Sequence, residues 1–141
     1  MSVLVVDASV AAKWFLREPL VEEARRVLTA GAHLHAPELF QLEMDSVFAK
    51  RVRRLEITLE DAREARRVLG RLPIQYHPTG PLRDMAFEIA CQTRRSVYDC
   101  TYLALSVLLG GPMVTADRRF YEAIAHSSAA PHVVWVADMD Y

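Results

Sequence analysis

The chain has 141 residues, 52% of them hydrophobic and 25% charged, with a formal net charge of -1. That length supports one packed core, that hydrophobic content excludes a disordered chain, and near-neutrality excludes nucleic-acid binding driven by bulk charge. A single domain over 1-141 is expected, and any phosphate contact has to come from a local basic stripe.

Val3 to Val6 is an apolar, β-branched run that ends in Asp7 and passes at once into Ala8-Ser9-Val10-Ala11-Ala12. The pattern predicts a buried strand, a turn and a short helix to Leu16. A carboxylate at the end of a buried strand is costly to desolvate and needs a cation, a donor or open water before it. The plainer alternative is that Asp7 caps the following helix, with Ser9 as helper. Leu20, Ala24, Val27 and Leu28 mark one face of a second helix, and His33 to Ala36 is a weak second strand closed by Pro37. Glu38 to about Arg54 reads as a long helix carrying Glu43, with Leu39, Leu42, Val47 and Phe48 as core candidates. Thr58 and Asp61 resemble a capping box, and Leu59, Ala62, Leu69 and Leu72 supply the face of the helix it starts.

Ile74 to His77 is the expected third strand and Pro78-Thr79-Gly80-Pro81 a turn. Leu82, Met85, Ala86, Ile89 and Ala90 form an amphipathic helical stripe, whereas Tyr98 to Leu109 is apolar nearly all round and should be a central buried helix with Asp99 in its first turn. Met113-Val114-Thr115 enters a fourth strand that ends at Ala116-Asp117, so a second carboxylate follows a strand. Asp117 also opens a helix that packs Phe120, Ala123 and Ile124. Val133 to Val136 is the last strand. Strands alternating with helices argue for a doubly wound three-layer α/β/α fold around a parallel sheet, with expected strand order 3-2-1-4-5.

In such a sheet, ligands bind beyond the carboxyl ends of the strands where the order reverses. If strands one and four flank that point, Asp7 and Asp117 become neighbours, and Glu43 and Asp99 can project into the same crevice. Four unpaired carboxylates would raise one another's pKa values, a conflict that a hard divalent cation removes. Mg2+ or Mn2+ is the natural occupant.

Four segments carry a resemblance: Val5 to Leu16 (Val-Val-Asp-Ala-Ser-Val-Ala-Ala-Lys-Trp-Phe-Leu), Ala36 to Glu43 (Ala-Pro-Glu-Leu-Phe-Gln-Leu-Glu), Ser96 to Leu105 (Ser-Val-Tyr-Asp-Cys-Thr-Tyr-Leu-Ala-Leu) and Val114 to Phe120 (Val-Thr-Ala-Asp-Arg-Arg-Phe). In this order they resemble the PIN-domain ribonucleases, specifically the VapC-like toxins of type II toxin-antitoxin systems, over nearly the whole chain. The resemblance implies a Mg2+- or Mn2+-dependent endoribonuclease whose catalytic and metal-binding quartet is Asp7, Glu43, Asp99 and Asp117. Asp7, Asp99 and Asp117 are assigned to the primary metal, and Glu43 completes the site directly or through water. Ser9 and Thr115 are the supporting hydroxyls. It also implies an RNA substrate, a cognate VapB-like antitoxin that enters the active-site groove, and a homodimer. The sequence departs from the family at Ser46, where Asn is common, and at Leu55, where Gly is common. Leu55 removes an easy left-handed exit from the long helix, so that turn is expected to be made differently.

Arg118, Arg119 and Lys13 are the candidate RNA contacts, the first two because they adjoin Asp117. Arg17 and the bases from Lys50 to Arg54 are further basic candidates near the crevice, and because bases at a helix end also suit its dipole the Lys50 to Arg54 group is open to a structural reading. Trp14 and Phe15 are assigned to packing, and Asp45 and Glu38 stay outside the site. A phosphoacceptor receiver domain shares the architecture but needs an acidic pair after strand one and a late lysine, and the only lysines here are Lys13 and Lys50. A catalytically silent PIN fold acting as an RNA- or protein-binding module would show a broken quartet. The sequence lacks a secretory leader pattern and any run of membrane-spanning length, and Cys91 and Cys100 lack metal-ligand spacing, so a cytoplasmic protein with reduced thiols and no membrane association is expected.

Overall fold

The computed structural model describes residues 2–140. The strands are β1 (Val3–Val6), β2 (His33–Pro37), β3 (Ile74–His77), β4 (Met113–Thr115) and β5 (Val133–Trp135); the helices are α1 (Ala8–Ala11), α2 (Val21–Thr29), α3 (Leu39–Arg53), α4 (Leu59–Leu69), α5 (Arg83–Thr93), α6 (Val97–Leu109) and α7 (Arg118–Ala125). The five strands form one all-parallel sheet in the order β3-β2-β1-β4-β5, inside three α/β/α layers, as expected from the sequence.

Register is what positions the site. Val5 pairs with Met113 and Val6 with Val114, and the Asp7 N–H donates to the Val114 carbonyl at 3.1 Å. Asp7 therefore comes level with Thr115 at the carboxyl edge of two adjacent strands. The approach to β4 is close: a Cβ on Gly111 would sit 2.4 Å from the Val3 carbonyl oxygen, so only glycine fits there.

The centre is apolar on every side. Val5, Val6, Val114 and Met113 are fully buried, and α6 contributes an unbroken buried run from Cys100 to Ser106. Phe40 and Phe48 of α3 are also buried, each worth about 2 kcal/mol of transfer free energy. Phe15 meets Phe48 edge-on at 5.7 Å and the Trp14 indole donates to the Ala24 carbonyl at 2.8 Å, which accounts for both aromatics as packing groups. On β2 and β3, His35 Nδ1 and His77 Nε2 lie 2.9 Å apart, and burial pushes the His35 pKa down.

Several expectations need correction. The helix after β1 is not continuous to Leu16, because α1 tightens into a 3-10 turn over Ala12–Trp14. The last strand stops at Trp135, and Val136 begins another 3-10 turn. Leu42, Leu59 and Met85, all placed in the core from periodicity, are 70%, 52% and 40% exposed. Leu59 and Met85 lie at the margin of their helices' apolar stripes, whereas Leu42 is on the face of α3 turned away from the buried Phe40, Met44 and Phe48. Leu55 itself takes the left-handed conformation, φ 58°, so the exit from α3 is made as a glycine would make it, at a cost of about 1–2 kcal/mol.

Candidate active site

Two strand-to-helix turns build the centre. Asp7 occupies the N-cap position of α1 yet makes no side-chain cap bond. Its Oδ2 instead accepts from Ser9 Oγ at 2.6 Å and Thr115 Oγ1 at 2.8 Å. The two hydroxyls are themselves fixed, since Ser9 Oγ accepts the Ala116 N–H at 3.0 Å and Thr115 Oγ1 accepts the Asp117 N–H at 3.1 Å. The capping alternative for Asp7 is thus not realised. The side chain is held across from β1 to β4, and burial raises its pKa to about 7 against the lowering effect of the hydroxyl bonds, with Asp99 and Glu43 raising it further.

Asp117 does cap its helix, with Oδ1 accepting the Phe120 N–H at 3.1 Å. Asp99 is presented by the first turn of α6, whose N-cap Ser96 accepts the Asp99 N–H at 3.0 Å. Burial is the main cause raising the Asp99 pKa, and the charge of Asp117 adds to it. Glu43 comes from α3, the helix after β2. Burial raises its pKa as well, opposed by a hydrogen bond from the Tyr102 hydroxyl and assisted by Asp99. The four acids are thus brought within one electrostatic field. They are not drawn together at ligand spacing: among the described residues, no three His, Cys, Asp or Glu side chains stand close enough to hold an ion. Glu43, Asp117 and Ser9 line an open cleft of about 550 Å³, and Asp7 is buried against Ser9.

The family model for the PIN domain matches residues 4–125. The chain belongs to the PIN-domain family. Ribonuclease VapC3 of Pyrobaculum aerophilum is 32% identical over 124 residues, 84% of this chain and 92% of that protein. Ribonuclease VapC9 of Mycobacterium tuberculosis is 34% identical over 116 residues, 82% of this chain and 87% of its own length. Among solved structures, a toxin-antitoxin complex from Klebsiella pneumoniae superposes with a TM-score of 0.68 at 13% identity, covering 96% of this chain and 99% of that one, a likeness of fold.

Beyond Glu43, towards the end of α3, the same cleft of this PIN domain is lined by bases. Lys13 is buried and 3.1 Å from Glu18, whose other oxygen accepts from Arg51, and Arg51 also lies 3.1 Å from Glu56. Lys50 and Arg54 line the same cleft, exposed and with no acidic partner among the described residues. Arg118 is elsewhere, its guanidinium 3.9 Å above the Trp135 ring, and neither it nor Arg119 lines the cleft. Asp45 is paired with Arg66 at 2.6 Å, outside the site as expected, and Glu38 holds the N-cap position of α3 without a side-chain bond.

The sequence offers Lys50 to Arg54 both as bases near the crevice and as partners of a helix dipole, and the fold puts Lys50 and Arg54 on the cleft. One feature is not apparent from the sequence. Tyr102 lies inside an apolar run, yet its position three residues after Asp99 puts both on one helix face and is the available signal.

Proposed function

We propose that this PIN domain is a divalent-metal-dependent endoribonuclease and the toxin of a VapBC-type pair. The observation that carries the reading is the shared field of Asp7, Glu43, Asp99 and Asp117 at the carboxyl edge of β1 and β4, on a chain of this family. The donor set is all oxygen and mutually repulsive: burial first, and then the charges of Asp99 and Glu43, raise the Asp7 pKa to about 7. The all-oxygen chemistry of the set fits Mg2+ or Mn2+, which Asp7, Glu43, Asp99 and Asp117 would hold if their carboxylates drew closer than the spacing they have here. When bound, the ion supplies positive charge to a scissile phosphate and to an attacking water.

The chain's own groups do the rest. Ser9 and Thr115 keep Asp7 aimed, and Asp117 is held in place by its cap bond to α7. Lys50 and Arg54 receive backbone phosphates along the cleft, with Lys13 tethered below them by Glu18. Arg118 and Arg119 remain as outlying contacts for a longer strand. The relatives named as VapC ribonucleases and the fold's likeness to a toxin-antitoxin complex support an antitoxin partner, and a homodimer is part of the same reading. No helix among the described residues is long and apolar enough to cross a membrane.

The test is cleavage of a mixed RNA pool by the wild type and by Asp7→Asn, each with Mn2+ and with EDTA. Cleavage confined to wild type with Mn2+ is expected. Equal cutting by both proteins, or cutting undiminished in EDTA, overturns the proposal, and RNA binding without cleavage in every condition would favour a silent binding module.

A further inference from the structure

Tyr102 sits one turn beyond Asp99 on α6 and is fully buried. Its ring belongs to the apolar core, which asks only for an aromatic of that size. Phenylalanine would fill the space equally well, so packing does not account for the hydroxyl. A buried hydroxyl without a partner is destabilising, and this one has a partner: it donates to Glu43 Oε1, crossing from α6 to α3. Burial first, and then the negative charges of Asp7 and Glu43, push the phenol pKa up, so the oxygen keeps its proton and acts as a donor.

The acceptor gains as much from this bond as the donor. Glu43 is half-buried on the cleft wall, at the end of three freely rotating side-chain bonds, and among the described residues no other side chain is hydrogen-bonded to its carboxylate. With Oε1 engaged from below, the carboxylate is fixed in rotamer and Oε2 is the oxygen without that bond. Conformational freedom removed before a ligand arrives is not lost when it binds.

We infer that Tyr102 is a positioning residue of the acidic centre: its hydroxyl orients Glu43 and leaves one oxygen, Oε2, to serve a divalent cation. This rests on the metal-dependent reading given above. Glu43 would then offer a cation the single oxygen that Tyr102 leaves unbonded.

The experiment is calorimetric titration of Mn2+ into wild type, Tyr102→Phe, Glu43→Ala and the double variant, together with melting curves in EDTA. Loss of an outer hydrogen-bond partner is expected to weaken Mn2+ binding by about 10-fold. RNA cleavage by Tyr102→Phe should fall at low Mn2+ and recover when Mn2+ is raised, as a positioning defect requires. In the Glu43→Ala background, removing the hydroxyl should have no further effect on Mn2+ affinity. Wild-type Mn2+ affinity in Tyr102→Phe, an equal loss in the Glu43→Ala background, or loss of the metal-free fold in Tyr102→Phe each overturns the inference. Absence of Mn2+ binding by the wild type, by contrast, overturns the metal-dependent reading itself and this inference with it.

Discussion

The β1–α1 and β4–α7 turns have the same local grammar, a buried strand followed by an aspartate in extended conformation at a helix N-cap. They use it differently. Asp117 bonds the backbone of its own helix, whereas Asp7 ignores α1 and accepts from Ser9 and from Thr115 on the neighbouring strand. A four-residue α1 offers little dipole to reward a cap, and two hydroxyls at 2.6 and 2.8 Å are better partners. An N-cap position therefore describes the backbone, and the partner across the sheet decides what the side chain does.

The largest break in this comparison is expected from Asp7→Asn. Cleavage should fall by more than about 100-fold, beyond the usual loss from an outer partner alone. The same variant tests the charge. A carboxyl whose pKa is raised from 3.8 to about 7 binds its proton more tightly in the folded state, so its contribution to stability is complete below pH 3.8 and is lost as pH rises through about 7. That loss amounts to about 4 kcal/mol as an upper bound. In EDTA, wild type should lose stability between pH 4 and 7 while Asp7→Asn stays flatter, and Mn2+ should reverse the order at neutral pH. Denaturant melts across that range provide the measurement, and identical pH profiles would remove Asp7 from the acidic centre.

Asp117 sharpens the contrast. Asn can still accept the Phe120 N–H, so Asp117→Asn should impair cleavage and keep its melting temperature, whereas Asp117→Ala should also lose about 0.5–2 kcal/mol with the cap. No cap penalty is expected for Asp7→Ala. Thr115→Val cuts the link between the two turns at nearly constant volume. It should cost about 1–3 kcal/mol and cost more at pH 8 than at pH 5, because the ionised Asp7 is the form that needs the donor.

The smallest effects concern substrate and compare two basic regions. Replacing Lys50 and Arg54 with Ala should lower the salt dependence of RNA binding by roughly 0.7 for each phosphate that the variant no longer neutralises. Arg118→Ala, which takes away the guanidinium stacked on Trp135, should change that slope less. A larger change for Arg118 would move the phosphate path to the α7 side of the cleft.

The strand runs, the Thr58–Asp61 capping box, the acids and the fold were legible in the sequence because each rests on short-range chemistry or on four ordered motifs. Periodicity marks apolar stripes but not their covered width, so it assigns Leu59 and Met85 to a core that does not reach them, and Leu42 falls on the face of α3 turned away from the core. Two things were decided only when distant segments met: that Asp7 answers Thr115 rather than its helix, and that Tyr102 holds Glu43. The physical reason is common to them. A side chain's pKa, its partner and its exposure are properties of the space around it, and that space is made by residues 59 to 108 positions away.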